Sequence, residues 1–504
     1  DHRDLHSFPT RRSSDLRWGA RVPGLLAAAC AGLHLANVAS ASIDHDEVEH
    51  LHAAWMVAQG HVPFVDFFEN HPPVLWYALA PLVDACPPGH LVLAGRLAML
   101  PFLAGILALA YRIGRRLTGN RRAAWLGMLL LPATWVFLRT TLEVRPDVPQ
   151  VFLEVLALDL FLSWLERPRA RTAAAAGLAA GAAIAVLSKA VVLLPALAAG
   201  IAVASWSRSS SGAAWKVPGE RGRRAAHAGL AALAALLPLA ILYGGMAAAG
   251  MLADYRACAI DHLAAFQMTA ALDTRFSILP GLWSVARTSP GLFLAGVPGL
   301  VLLAMRWRDP RHASVLATLA FTAGFLAMSG MPYKQYYLAL WVLLAPAAAV
   351  LFDRLESRAG QGRGAFVMRG LGPVLVAVSL AMGAASLSGT KEAVRETAVA
   401  RRILAVTRPG DPVLAQPPWH PIARPDAGYL WFNLRDFLSV LDQMEASGQA
   451  PDPGWAARMR RVVDRPPAAV FVSRPADLQD IPGLAQAVEG GLHPDTLVRN
   501  LFVR

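Results

Sequence analysis

Eleven stretches of this chain are apolar enough, and close enough to 20 residues, to cross the ~30 Å hydrocarbon core of a bilayer. They fall near residues 22–42, 90–111, 123–139, 148–165, 172–187, 190–206, 226–246, 285–305, 313–330, 336–352 and 370–388. The loops between them alternate in charge. One set holds Arg112, Arg115, Arg116, Arg121 and Arg122, then Arg167, Arg169 and Arg171, then Arg208, Lys216, Arg221, Arg223 and Arg224. It continues with Arg306, Arg308 and Arg311, and ends with Arg354, Arg358, Arg363 and Arg369. The other set is nearly free of bases, and its first member, residues 43–89, carries seven carboxylates and no lysine or arginine. Basic short loops stay inside, so an odd number of spans starts inside and ends outside.

Composition agrees with a polytopic membrane protein. Hydrophobic residues make up 55% of the 504 and charged residues 16%, against about 25% charged in soluble domains. Several soluble domains or a disordered chain are excluded, and three cysteines cannot build a disulfide scaffold. The net charge of +12 resides in the inner loops, which removes the need for a nucleic-acid partner.

The two ends read differently. Residues 1–16, with His6-Ser7-Phe8-Pro9-Thr10-Arg11-Arg12-Ser13-Ser14-Asp15-Leu16, look like a translated sequencing adapter, with neither the apolar core nor the cleavage pattern of a signal peptide. The membrane domain is expected over 17–390. From 391 to 504, bases and acids nearly balance, 14 against 13. There the strand-like runs Pro412-Val413-Leu414-Ala415 and Ala468-Ala469-Val470-Phe471-Val472 alternate with helix-like stretches at 430–446 and 454–463. A small α/β domain outside the inner membrane is expected.

The first outer loop concentrates the chemistry. Ile43-Asp44-His45-Asp46-Glu47-Val48-Glu49-His50-Leu51-His52 crowds acids and histidines at the mouth of the first span. Val48, Leu51, Trp55 and Val57-Ala58 predict an amphipathic helix that Gly60 stops. Asp66 and Glu69-Asn70-His71-Pro72-Pro73 follow, then an apolar stretch at 74–83 too short to span. His45, His50 and His52, together with Glu47 and Glu49, are candidate ligands for a divalent metal, although solvated histidines have the same appearance.

This loop resembles that of the GT-C glycosyltransferases, nearest to the family 39 group of aminoarabinose transferases and protein mannosyltransferases. Asp46-Glu47, the helix ending at Gly60, Asp66 and the Glu69–Pro73 run carry the resemblance. Arg96, Arg145-Pro146-Asp147, Ser188-Lys189 and Pro332-Tyr333-Lys334-Gln335-Tyr336-Tyr337 extend it in order. One departure is His71, where many relatives have lysine before the paired prolines.

The resemblance implies an inverting transferase that takes a sugar from a polyprenyl-phosphate donor to a lipid, glycan or protein acceptor, with no obligatory cofactor. An attacking hydroxyl must lose a proton, which a carboxylate at the membrane surface can accept. Asp46 is the expected base, with Asp147 and Glu47 in support. A departing lipid phosphate needs cations in a water-poor site. Arg145, Lys189, Lys334 and Arg96 are the expected cations, and His71, Glu69 and Asp66 are further contacts to the substrate. Each has a bland alternative: Arg96 equally suits pairing with a loop carboxylate, and the two lysines suit snorkelling to the interface. A secondary transporter or a catalytically inactive relative acting as a scaffold would also place charges here, but repeated halves with broken helices, the transporter signature, are not evident.

Overall fold

The computed structural model describes residues 13–211, 220–266, 278–329, 333–358, 363–385, 390–450, 452–473, 481 and 483–504. Residues 1–12 of the adapter-like segment, Pro332, and 267–277 of the loop before the eighth apolar run lie outside the described residues. Helices α1 (Ser13–Ser40), α2 (His45–Ala58), α3 (Val74–Ala85), α4 (Leu91–Thr118), α5 (Arg121–Leu129), α6 (Trp135–Thr140), α7 (Asp147–Glu166) and α8 (Ala170–Val186) open the chain.

Within the described residues all eleven apolar runs are largely helical, but not all are single long helices. Among the described residues, eight helices are long and apolar enough to span a membrane. The other three differ for local reasons. The run at 123–139 breaks into α5 and α6, because Pro132 lacks an N–H and disfavours the helical region for the residue before it. The run at 285–305 is a pair of helices bent by 114° at Ser289, where Pro290 starts the second helix. The run at 172–187 is the 17-residue α8, ended by extended Leu187 and followed by a 3₁₀ turn at Ser188–Val192.

The α7 and Lys334–Arg358 spans are the most buried, and Gly222–Ala248 is the least. That outer helix is held against α8 through small residues. A Cβ added at Gly177 would sit 1.9 Å from the Ala231 carbonyl oxygen, and one at Gly181 2.0 Å from that of Ala235. Apolar side chains gain little from leaving lipid, so membrane helices depend on such close backbone contact.

Charge closes the basic end of the bundle. Arg112 and Arg116 from α4 pair with Asp159 of α7 at 2.7 and 2.9 Å, and Arg116 also meets Glu166. Asn120 donates to Asp353 and Glu356. Asp159 and Glu166 follow Asp147 on α7 by 12 and 19 residues, which at 1.5 Å per residue separates this network from Asp147 by about 18–28 Å.

After the last span, helix Thr390–Val406 leads into a four-stranded mixed sheet of β1 (Val413–Ala415), β2 (Ala469–Phe471), β3 (His493–Pro494) and β4 (Leu501–Val503). The order is β1-β2-β4-β3, with β1 and β2 parallel and the other pairs antiparallel. Both expected strands are present. The sheet domain docks on the first loop: Phe68 donates its N–H to the Tyr429 carbonyl (3.0 Å), and Trp431 Nε1 donates to the Phe68 carbonyl (3.2 Å). Tyr429 hydroxyl donates to the Phe64 carbonyl (2.5 Å), and Trp455 Nε1 donates to Cys258 Sγ (3.3 Å). Cys30, Cys86 and Cys258 are free thiols.

Candidate active site

Helix α2 begins with a reciprocal cap. The Asp44 side chain accepts from the Asp46 N–H (3.2 Å), while the Glu47 carboxylate accepts the Asp44 N–H (2.9 Å). Such a box fixes where the helix starts, and Gly60 at φ +88° lies just past its end. The polar face that an isolated amphipathic helix would give to water is buried here: Glu47, Glu49, His50 and His52 are all at most 2% exposed.

Glu47 and Arg96 satisfy each other. Arg96 donates from Nε and Nη2 to the Glu47 carboxylate, both at 2.7 Å. Its remaining donors reach the carbonyls of Val38, Ala41 and Ser42 at 2.9–3.2 Å. Those are orphan acceptors at and just past the end of α1, so the pair joins the first span to α2. Breaking one side of a buried pair costs about 3–5 kcal/mol. Asp66 folds back on its own loop at the surface: it accepts the Val62 N–H (2.7 Å) and lies away from the cavity.

A cavity of about 780 Å³ opens on the other face of α2. His45, Asp46, Glu49 and His50 line it from α2, His71 from the first loop, and Arg145, Asp147, Lys189 and Lys334 from the membrane domain. Arg145 is the hub. Its guanidinium donates to Asp46 and to Asp44, and its Nε lies 2.8 Å from Glu143. Lys334 Nζ bridges Asp44 (3.1 Å) and Glu143 (3.0 Å). Lys189 pairs with Asp147 and rests 4.0 Å over the Tyr336 ring. Asp147 occupies the first turn of α7, where the helix dipole favours an acid. Val191, Ile260, Leu263 and Phe325 supply an apolar wall.

The carboxylates are pushed apart. Burial alone would raise Asp46, but Arg145 and His45 hold it well below the usual range. Asp44 is lowered in the same way, against its burial, by Arg145 and Lys334. Glu49 goes the other way, raised well above the ordinary value by burial and by the nearby charges of Glu69 and Asp46. Burial raises Glu69 too, with His71 opposing. Glu49 Oε1, Glu69 Oε1 and His71 Nδ1 are buried without hydrogen-bond partners among the described residues, and Glu49 Oε1 lies 3.6 Å from His71 Nδ1.

His50 and His52 join different clusters. Glu49, His50 and His71 lie close enough to share an ion. However, Trp76 Nε1 donates to His50 Nδ1 (3.2 Å), which leaves the proton of neutral His50 on Nε2. His52 instead meets Asp426 and His420. Asp44, Glu143 and Asp426 are the site carboxylates that sequence reasoning did not single out, and Glu49 entered it only as a candidate metal ligand. Asp44 and Glu49 sit in the acidic run, and Glu143 lies two residues before Arg145, but no local signal marks Asp426.

Comparison with known proteins places this geometry. Residues 70–217 match the family model described as dolichyl-phosphate-mannose-protein mannosyltransferase. Among solved structures, the chain is similar to ArnT from Cupriavidus metallidurans, solved bound to undecaprenyl phosphate. The TM-score is 0.65 over 98% of each chain, at 14% identity. It is also similar to the Archaeoglobus fulgidus oligosaccharyltransferase, solved with zinc and sulfate, over 75% of this chain and 55% of that one, at 15% identity and TM-score 0.46. No curated protein sequence is matched. The chain has the ArnT-like GT-C glycosyltransferase fold of a multi-pass membrane protein.

Proposed function

We propose that this GT-C chain transfers a sugar from a polyprenyl-phosphate donor to an acceptor hydroxyl at the outer face of a bacterial inner membrane, with inversion at the anomeric carbon. The observation that carries the reading is the single cavity where Asp46, Lys189 and Lys334 meet beside an apolar wall suited to a prenyl chain. The similar ArnT was solved with undecaprenyl phosphate, a ligand of the same chemistry.

In the transfer, the acceptor O–H bond breaks as its proton passes to the Asp46 carboxylate. The acceptor oxygen bonds to C1, the bond from C1 to the phosphate oxygen breaks, and its electron pair stays on the lipid phosphate. Lys334, whose side chain is 38% exposed, and Lys189 are the cations most open to that phosphate. Arg145 is 4% exposed and already committed to carboxylates, so its first task is to orient Asp46. A carboxylate held this low is a weak base. An anionic donor competes for Arg145 and relaxes the pair that depresses it. Asp147 anchors Lys189, His71 flanks Glu49 at the cavity surface, and Glu69 lies behind them. No cofactor is needed for these steps. Glu49 and His71 would hold a divalent ion, and its charge would add to that of the lysines.

The test is sugar release from a panel of undecaprenyl-phosphate pentoses and hexoses by the purified full chain. Turnover with at least one donor, lost in Lys189→Ala/Lys334→Ala, is expected. The absence of turnover with every donor, together with no binding of undecaprenyl phosphate, overturns the reading. The side assignment has its own check: a periplasm-active phosphatase fused after Arg504 should be active and a cytoplasm-active fluorescent fusion dark.

A further inference from the structure

His52 sits on α2 with its ring turned away from the cavity, and its partners come from the far end of the chain. Its Nδ1 lies 2.6 Å from the Ile422 carbonyl oxygen, and its Nε2 lies 2.7 Å from Asp426 Oδ2. The Ile422 N–H donates to His420 Nδ1 (3.1 Å), and His420 Nε2 is 3.2 Å from the other oxygen of Asp426. The backbone of one residue, Ile422, thus serves both imidazoles through its N–H and its carbonyl, and one carboxylate lies between them. His52, His420 and Asp426 are all at most 4% exposed, with Trp55 and Trp431 packed on the His52 ring.

The backbone supports a dedicated arrangement. Ile422 has φ +66°, a conformation that β-branched residues avoid and that persists only where its surroundings enforce it. Here it aims the N–H at one histidine and the carbonyl at the other. The proton count follows from the partners. Both nitrogens of His52 face oxygen atoms, the Ile422 carbonyl and the Asp426 carboxylate. His420, with Nδ1 accepting, carries its proton on Nε2, the nitrogen facing Asp426. A metal ion would need that nitrogen's lone pair, so the cluster is organised around protons.

We propose that His52 and Asp426 are positioning residues that lock α2 to the C-terminal domain, fixing the depth at which Asp46 and Glu49 enter the cavity. His52 lies six residues after Asp46 on the same 14-residue helix, so loosening its far contact lets the near end tilt. The cations that face the donor, Lys189 and Lys334, are not on this helix. Loss of the lock should therefore lower kcat and leave donor affinity alone. The kinetic part of this inference rests on the glycosyl-transfer reading.

The experiment uses the full chain in nanodiscs. Hydrogen exchange over residues 45–58, binding of undecaprenyl phosphate, and sugar release from an undecaprenyl-phosphate sugar to water are measured for wild type, Asp426→Asn, His52→Gln and His52→Asn. Asp426→Asn should speed exchange in 45–58 about tenfold or more. It should lower kcat by about 10–10²-fold, since small misplacement of a reacting group has effects of that size. Dissociation constants for undecaprenyl phosphate should stay within about twofold. His52→Gln places a donor where Nε2 was and should recover more activity than His52→Asn, which serves only Ile422. Unchanged exchange in Asp426→Asn, or equal kcat per folded molecule in all variants, overturns the proposal. If wild type releases no sugar, the functional reading fails while the exchange arm still decides whether the lock exists.

Discussion

Helix α7 carries an ionic cluster at each end, and the two are built differently. At the basic end, Asp159 and Glu166 meet Arg112 and Arg116, and the partners come from regular helices. At the cavity end, Asp147 meets Lys189 from a 3₁₀ turn, while neighbouring Arg145 gathers Asp44 and Asp46 from the start of α2 and Glu143 from its own turn. Glu49 and Glu69 stand beside that cluster, each with one oxygen that no donor among the described residues serves. The basic end has the form of a structural clamp. The cavity end has the perturbed, buried carboxylates expected of the donor site proposed above.

The largest effect that would break this contrast is expected at Asp46. Asp46→Asn should cut sugar transfer by about 10²–10⁴-fold, the usual loss on removing a general base, while the thermal midpoint and yield of folded protein stay close to wild type. Near-normal turnover by a folded Asp46→Asn protein would remove Asp46 from the mechanism.

Arg145 and Asp159 form the matched pair of tests. Arg145→Lys keeps the charge but loses the fork that reaches Asp44 and Asp46 together, so turnover should fall about 10–10²-fold. Asp159→Asn breaks a buried pair at the other end and should cost about 3–5 kcal/mol of stability, with turnover per folded molecule unchanged. Thermal unfolding and specific activity measured side by side would show the clusters to be alike if both variants lost the same quantity.

The smallest effect concerns Glu49. Its folded carboxyl is raised above the unfolded value of 4.5, so the folded state keeps a proton that the unfolded chain releases as pH rises above that value. Stability from this group is therefore greatest in acid and declines with rising pH. Glu49→Gln removes the penalty. Its thermal midpoint should exceed wild type by a few degrees, on the order of 1 kcal/mol, at pH 8, and match it near pH 4. A constant difference across that range would mean that Glu49 is not the titrating group.

Much of this architecture was legible in the sequence. The apolar runs, the charged loops and the contiguous motifs at Asp46-Glu47 and Arg145-Pro146-Asp147 are local patterns, and local patterns survive in one dimension. Straightness was not legible from hydropathy, because the run at 123–139 is apolar throughout and Pro132 alone signals its break. Burial on both faces of α2 also hid the division of labour between Glu47, spent on Arg96 and the helix cap, and Glu49, turned to the cavity. Helical spacing separates faces only when one of them is wet. Asp426 was out of reach altogether, since its partner lies 374 positions earlier.

That separation also matters while the chain is being made. At about 5–20 residues per second, the ribosome needs roughly 20–70 s to travel from His52 to Ile422, 370 positions later. For that interval α2 has its cap and Arg96, but the clamp from the sheet domain does not yet exist. The acidic helix must pass this time with its carboxylates in water or held by other proteins. A chain interrupted in the final hundred residues would thus insert its spans and bind lipid, yet present a first loop that has never been pressed into shape.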